Sequence, residues 1–168
     1  MMTETAGVSY IRMESPIGPL MLVADNTGLR RIGFVNERNP VRSDPQWRES
    51  VERLGEAVRQ LRAYFAGELQ AFDLPLAPQG TPFQLAVWSE LQKIPYGSTC
   101  SYIDIARSLG KPGAARAVGM ANHENPIAIV IPCHRVVGSD GSLTGYAGGL
   151  HIKQQLLGIE KQTQLLFT

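Results

Sequence analysis

The stretch Ile127-Ala128-Ile129-Val130-Ile131-Pro132-Cys133-His134-Arg135-Val136-Val137 decides how the chain is read. An apolar, largely β-branched run of this length reads as a buried strand or strand-like segment. Pro132 cannot continue a central ladder, so the chain is expected to leave the sheet there. That would deliver Cys133 at the mouth of a packed scaffold. A free cysteine is most often a small buried hydrophobe. Against that reading stand His134 and Arg135, cations or potential cations that favour the thiolate, the nucleophilic form of the thiol. Sequence neighbours seldom face each other, so His134 would act through a water or after a sharp turn. A catalytic arrangement would also need a third group to orient the imidazole. Both readings stand on this stretch alone.

The 168 residues suffice for one domain or two small ones. Hydrophobic content of 43% with 18% charged residues is that of a soluble globular protein. No apolar run has the length of a membrane span and no leader pattern opens the chain, so a cytoplasmic protein is expected. A net charge of +1 excludes a polycation, and any nucleic-acid contact must come from a local patch. Two cysteines, Cys100 and Cys133, make no disulfide framework. Without a C-x-x-C, and with His123 and His151 at no ligand spacing, no metal and no cofactor are expected.

Within residues 1–75 the pattern predicts a small antiparallel sheet covered by a helix. Leu20–Ala24 and Leu29–Val35 flank Asp25-Asn-Thr-Gly28, a hairpin turn signal. Trp47, Val51, Leu54, Val58, Leu61 and Phe65 recur at helical spacing, with Asp44-Pro45 as the start and Gly67 as the stop. Residues 73–80 are proline-rich and read as a boundary.

The second part, 80–168, is expected to be mostly helical. Thr81-Pro82-Phe83-Gln84 and Ser101-Tyr102-Ile103-Asp104 are capping boxes. The first opens a helix with Phe83, Val87 and Leu91 on one face. The second opens a short helix stopped at Gly110. After Lys111-Pro-Gly113, Ala114 to about Asn122 forms its partner in a helix-turn-helix. That partner is odd for a base reader. Ala115, Ala117 and Gly119 are small, and only Arg116 is long, whereas major-groove readers carry several long polar side chains. Small residues with one cation suit close, sequence-tolerant approach to a minor groove with an inserted side chain; they equally suit a tightly packed core helix. The glycine-rich segment 138–149 has neither phosphate-loop spacing, and Tyr146 in it could wall a flat pocket. Leu150 to about Ile159 reads as a closing helix, with Glu160 just beyond.

Taken together, Thr-Pro-Phe-Gln…Val-Trp88, Ile-Pro-Tyr-Gly97, Ser-Tyr102, Ala-Ala-Arg-Ala-Val-Gly119, Asn125-Pro126, Ile-Pro-Cys-His-Arg-Val136, Gly-Tyr146 and Glu160 resemble the O6-alkylguanine-DNA alkyltransferases. These are also called methylated-DNA–protein-cysteine methyltransferases. The resemblance covers residues 80–160 and only loosely residues 1–70. It implies an α/β (α+β) protein, with a ribonuclease-H-like sheet-plus-helix domain followed by a winged helix-turn-helix-like domain.

It also implies roles. Cys133 would accept the alkyl group, His134 would be its base through a water, and Glu160 would orient the imidazole. Asn125 would hold the turn after the recognition helix and help order that water. Tyr102 would press on the target phosphate and donate to the base, while Arg116 would fill the gap in the stack. Main-chain groups of Cys133, Val136 and Ala147, with the Tyr146 ring, would line the guanine pocket. Ala115, Ala117, Gly119 and Ser139 complete the expected DNA contacts. Two departures stand out. Ala147 replaces a serine common in the family, and His123-Glu124 puts a carboxylate near the presumed DNA face.

The implied partner is alkylated double-stranded DNA, read in the minor groove by a monomer, with cooperative binding left open. The implied reaction is single-turnover transfer from O6-alkylguanine, with O4-alkylthymine a second candidate. An alkyl carbon inside a duplex is out of a thiolate's reach, so the nucleotide must be flipped out. The thioether product has no carbonyl for water to attack, so nothing regenerates the thiol. A cysteine hydrolase and a non-catalytic sensor of alkylation damage are the rivals.

Overall fold

The computed structural model describes residues 7–36 and 45–166, with side chains to 164. The chain divides into two compact units, Met1–Pro78 and Gln79–Thr168.

In the first unit, β1 (Ser9–Met13), β2 (Leu20–Asp25) and β3 (Gly28–Phe34) form an antiparallel meander. A fourth strand, β4 (Arg48–Glu49), pairs in parallel with β1, so the sheet is mixed, in the order β3-β2-β1-β4. The expected hairpin is present. Asp25 Oδ1 accepts from the Thr27 amide at 2.8 Å, an Asx turn that stands in for a ladder bond. At its end Gly28 has φ +144°, and a Cβ there would lie 2.6 Å from the Pro75 carbonyl oxygen. Glycine is required because residues 75–77 bond directly to Leu29 in that space.

Helix α1 (Val51–Phe65) covers the sheet, burying Leu54, Ala57, Val58, Leu61 and Tyr64 at spacings of three and four. Each large side chain so buried contributes roughly 1.5–3 kcal/mol. The expected start was too early. Asp44 lies outside the described residues, and the N-cap is Ser50, whose hydroxyl accepts from the Arg53 amide. Residues 48 and 49 are taken by sheet pairing instead, and Val51 is 70% exposed. The stop at Gly67 holds: at φ +75° it closes a Schellman turn, Glu68 N–H to Ala63 C=O and Gly67 N–H to Tyr64 C=O.

The second unit is helical. Its helices are α2 (Pro82–Leu91), α3 (Tyr102–Ser108), α4 (Ala115–His123) and α5 (Leu150–Leu166). Both capping boxes form as expected, at Thr81/Gln84 and Ser101/Asp104. Trp88 is 2% exposed and donates its indole N–H to the Ala121 carbonyl at 2.8 Å, fixing α2 against α4. Two strands, β5 (Cys100–Ser101) and β6 (Val136–Val137), pair in parallel.

The opening stretch is buried, but it is no strand. Residues 127–131 form a packed turn in which Ile129 takes φ +74°. A β-branched residue there is a genuine outlier, costing about 1–3 kcal/mol. β-Branching announces extended backbone, yet the next helix-end side chain overrides it. The Asn125 carboxamide donates to Ile131 C=O at 2.8 Å and accepts from Ile127 N–H at 3.1 Å, bracketing the turn. The remaining bonds, Val130 N–H to Ala128 C=O and Ile131 N–H to Ile127 C=O, are internal. Pro132 does end the apolar run, and a 3-10 turn, Cys133–Arg135, follows.

Candidate active site

The 3-10 turn presents Cys133, His134 and Arg135 in succession, all buried, with His134 at 0% exposure. A tight turn lets consecutive residues serve one site. His134 Nε2 lies 2.6 Å from Glu160 Oε2. The same carboxylate takes Arg135 in a fork, Nε to Oε1 at 2.8 Å and an Nη to Oε2 at 3.1 Å. It also accepts from the Gly97 amide at 3.2 Å. Glu160 is not beyond the closing helix, as the spacing suggested, but inside α5, which runs on to Leu166. A rigid helix interior fixes a carboxylate better than a loop end would.

Burial alone would raise the Glu160 carboxyl; His134 and Arg135 outweigh it and hold it at about 2. Burial pulls the His134 imidazole below its ordinary value, against the pull of Glu160, so the ring is neutral at neutral pH. Nε2 must then carry the proton donated to the carboxylate. Nδ1 is left as an acceptor, and it is buried with no hydrogen-bond partner among the described residues. The turn thus carries a buried base nitrogen on the residue that follows Cys133.

Burial also pushes the Cys133 thiol up, while Asn125, the charge of Lys153 and Tyr146 pull the other way. Cys100 is half-buried, and burial raises its thiol to about 11, leaving it inert at neutral pH.

A groove of about 560 Å³ is lined by Tyr102, Ile103, Ala115, Arg116, Gly119, Met120, His123, Glu124 and Ser139, and Cys133, His134 and Glu160 are not among its lining residues. Five of the residues expected to touch DNA, Tyr102, Ala115, Arg116, Gly119 and Ser139, therefore share one surface. Ala117 is exposed on α4 but does not line the groove. Arg116 is exposed and makes no hydrogen bond or ion pair with the described residues. The Tyr102 hydroxyl bonds to Thr144 Oγ1 at 2.7 Å, pinning the glycine-rich loop to α3. Val136 is buried in β6, and Ala147 is exposed beyond Tyr146.

Arg135, expected to favour the thiolate, instead pairs with Glu160 and donates to the Ile94 carbonyl at 2.7 Å. Two further residues were not singled out from the sequence. Asn122 donates to the Cys133 carbonyl at 3.3 Å from α4. Lys153 is wholly buried in α5, its ammonium on the Val136 and Thr144 carbonyls at 2.6 and 3.0 Å. Lys153, Leu156 and Glu160 fall on one helical face, so a lysine amid apolar positions was the available signal.

A helix-turn-helix unit carrying a buried cysteine, a neutral histidine and an ionised glutamate defines a DNA-facing protein with a latent thiol nucleophile. Residues 82–162 match the family model described as 6-O-methylguanine DNA methyltransferase, DNA binding domain. Residues 8–78 match that of its ribonuclease-like domain. The chain is 53% identical over 151 residues to the methylated-DNA–protein-cysteine methyltransferase of Methanosarcina acetivorans, covering 90% of this chain and 97% of that one. It is 51% identical over 156 residues to that of Mycolicibacterium paratuberculosis, covering 92% and 93%. Among solved structures, the Mycobacterium tuberculosis O6-methylguanine methyltransferase superposes with a TM-score of 0.86 at 48% identity, covering 96% of this chain and 99% of that one. Its complex with DNA gives 0.85 at 47%, covering 95% and 99%. The chain belongs to the methylated-DNA–protein-cysteine methyltransferase family, whose α/β architecture it has.

Proposed function

We propose that this protein repairs DNA by direct reversal, taking the alkyl group of O6-alkylguanine onto Cys133 once and irreversibly. The observation that carries the assignment of residues is the 2.6 Å contact of His134 Nε2 with Glu160. Because Nε2–H is committed to Glu160, Nδ1 is available to take the Cys133 proton, directly or through one water. The thiolate displaces guanine from the alkyl carbon, and donors in the pocket stabilise the charge on the leaving base. Asn125 positions the sulfur, Tyr146 with main chain at Cys133, Val136 and Ala147 forms the pocket, and Tyr102 exchanges its Thr144 bond for the flipped nucleotide. The exposed α4 face, with small Ala115, Ala117 and Gly119, approaches the minor groove, and Arg116 takes the vacated place in the stack. Ser139 closes the groove. O4-alkylthymine is a second candidate substrate, and a monomer is the working unit. The DNA-bound form of the mycobacterial relative supports DNA as the partner.

Incubation with a duplex carrying O6-methylguanine is the test. Methyl removal should plateau at one equivalent per protein, with one methyl group on the Cys133 peptide by mass spectrometry. Cys133→Ser should bind the duplex and transfer nothing. Repeated turnover, or label on Cys100, would sink the assignment.

A further inference from the structure

A closed ring of bonds runs through Val136 and the segment that precedes Tyr146. The Tyr102 hydroxyl bonds to Thr144 Oγ1 at 2.7 Å. The Thr144 carbonyl accepts from the Lys153 ammonium at 3.0 Å, and that ammonium also donates to the Val136 carbonyl at 2.6 Å. Val136 pairs with Cys100 between β6 and β5, and Ser101, next in β5, caps the helix that begins with Tyr102. The cysteine turn hangs from the same ring, because the Val136 amide bonds to the Cys133 carbonyl. The links of this ring differ in strength. Lys153 is wholly buried and its two bonds are charge-assisted, roughly twice as strong as neutral ones. Main-chain pairing and a capping box hold the side from β6 to Tyr102. Tyr102 and Thr144 are only half-buried, and a bond between two neutral hydroxyls there exchanges for bonds to water at little cost. That bond is the weakest link.

We propose that Thr144 is a positioning residue for Tyr102 and the latch of the glycine-rich loop. Its hydroxyl bond to Tyr102 opens to admit a nucleotide to Cys133, while its carbonyl stays on Lys153. Lys153 is then the fixed post about which the loop moves, which gives the buried ammonium a role in the fold. Glycines at 145, 148 and 149 leave this segment few side chains to resist the movement. Opening uncovers Cys133, which is 4% exposed with the latch closed. The consequence for repair rests on the alkyl-transfer reading above: one event admits the nucleotide and frees the Tyr102 hydroxyl to meet it.

The latch is testable without DNA. Thr144→Val keeps the side chain's shape and the carbonyl but removes the hydroxyl, whereas Thr144→Ser keeps the hydroxyl. In a Cys100→Ser background, iodoacetamide reports access to Cys133: the Sγ–carbon bond forms, iodide leaves and the thiol proton passes to buffer. Thr144→Val should speed this labelling about three- to tenfold, the worth of one neutral hydrogen bond in an opening equilibrium. Amide exchange in peptides covering residues 143–147 should quicken in proportion. Thr144→Ser should return both to wild type, and the melting temperature should barely move in either variant. Tyr102→Phe removes the same bond from the other side and should match Thr144→Val, which keeps the test decisive should one variant fail to fold. Labelling and exchange that stay unchanged or slow down would overturn the latch. Equal effects of valine and serine, or faster labelling only alongside a lowered melting temperature, would also overturn it, since both are marks of lost packing. With O6-benzylguanine as the substrate, Thr144→Val should react faster by the same factor. Faster labelling that serine reverses, in a protein that transfers no benzyl group to Cys133, would support the latch and remove the alkyl-transfer reading.

Discussion

Glu160 accepts hydrogen bonds from His134, from Arg135 through two nitrogens and from the Gly97 amide. Its carboxylate thus sets the histidine tautomer and neutralises a buried guanidinium together. Replacing it by glutamine keeps the shape but leaves Arg135 as an uncompensated buried charge. Removing one partner of a buried pair costs about 3–5 kcal/mol. Glu160→Gln should therefore lower the melting temperature, and it should also slow transfer by freeing the imidazole to adopt the wrong tautomer. The two effects separate in the pH–rate profile. Lost orientation shifts the apparent Cys133 pKa upward, whereas a helix carboxylate with only a structural role would leave the profile's midpoint in place.

Helix α4 has two faces with different work. Its buried side, Val118, Ala121 and Asn122, is held by Trp88 and reaches the Cys133 carbonyl. Its open side carries Arg116, free of partners among the described residues, above the groove. If Arg116 replaces a flipped nucleotide, its work exists only in duplex DNA. Arg116→Ala should slow repair of a duplex sharply, while reaction with free O6-benzylguanine stays near wild type. A phosphate contact would instead weaken binding uniformly and reduce the salt slope by about one. A packing role is already disfavoured by exposure and would show as equal losses on both substrates with a lower melting temperature.

At the scale of the molecule, acid is expected to open the second unit. The Glu160 carboxyl at about 2 lies below its ordinary 4.5, so its stabilisation is complete above pH 4.5 and disappears as pH falls towards 2. By linkage that difference is worth about 3 kcal/mol. His134, held below its ordinary 6.5, adds in the same direction: the unfolded chain takes up its proton first, so stability declines once pH drops beneath 6.5. Trp88 reports this unit and Trp47 the other. In a Trp47→Phe protein, Trp88 fluorescence should show a melting temperature that falls steadily from pH 7 to pH 3. The fall should be shallower in Glu160→Gln, and a slope identical in both would exclude Glu160 as its source. Much of this architecture was written locally. Turn chemistry at Asp25–Gly28, both capping boxes, the stop at Gly67 and the small-residue face of α4 depend on neighbours a few residues apart, and the sequence by itself determined them. Motif spacing pointed to Cys133, His134, Glu160, Tyr102 and Arg116 as candidate site residues, and the structure joins His134 to Glu160 and sets Tyr102 and Arg116 on one groove. Tertiary structure alone decided the rest. Residues 127–131 became a turn because Asn125 supplies partners that a strand would otherwise seek in a sheet. The helix of residues 51–65 began late because β1 claimed Arg48 and Glu49. Arg135 and Lys153 gained their importance from burial, since a charge acquires a specific partner only when packing removes the water that would otherwise screen it.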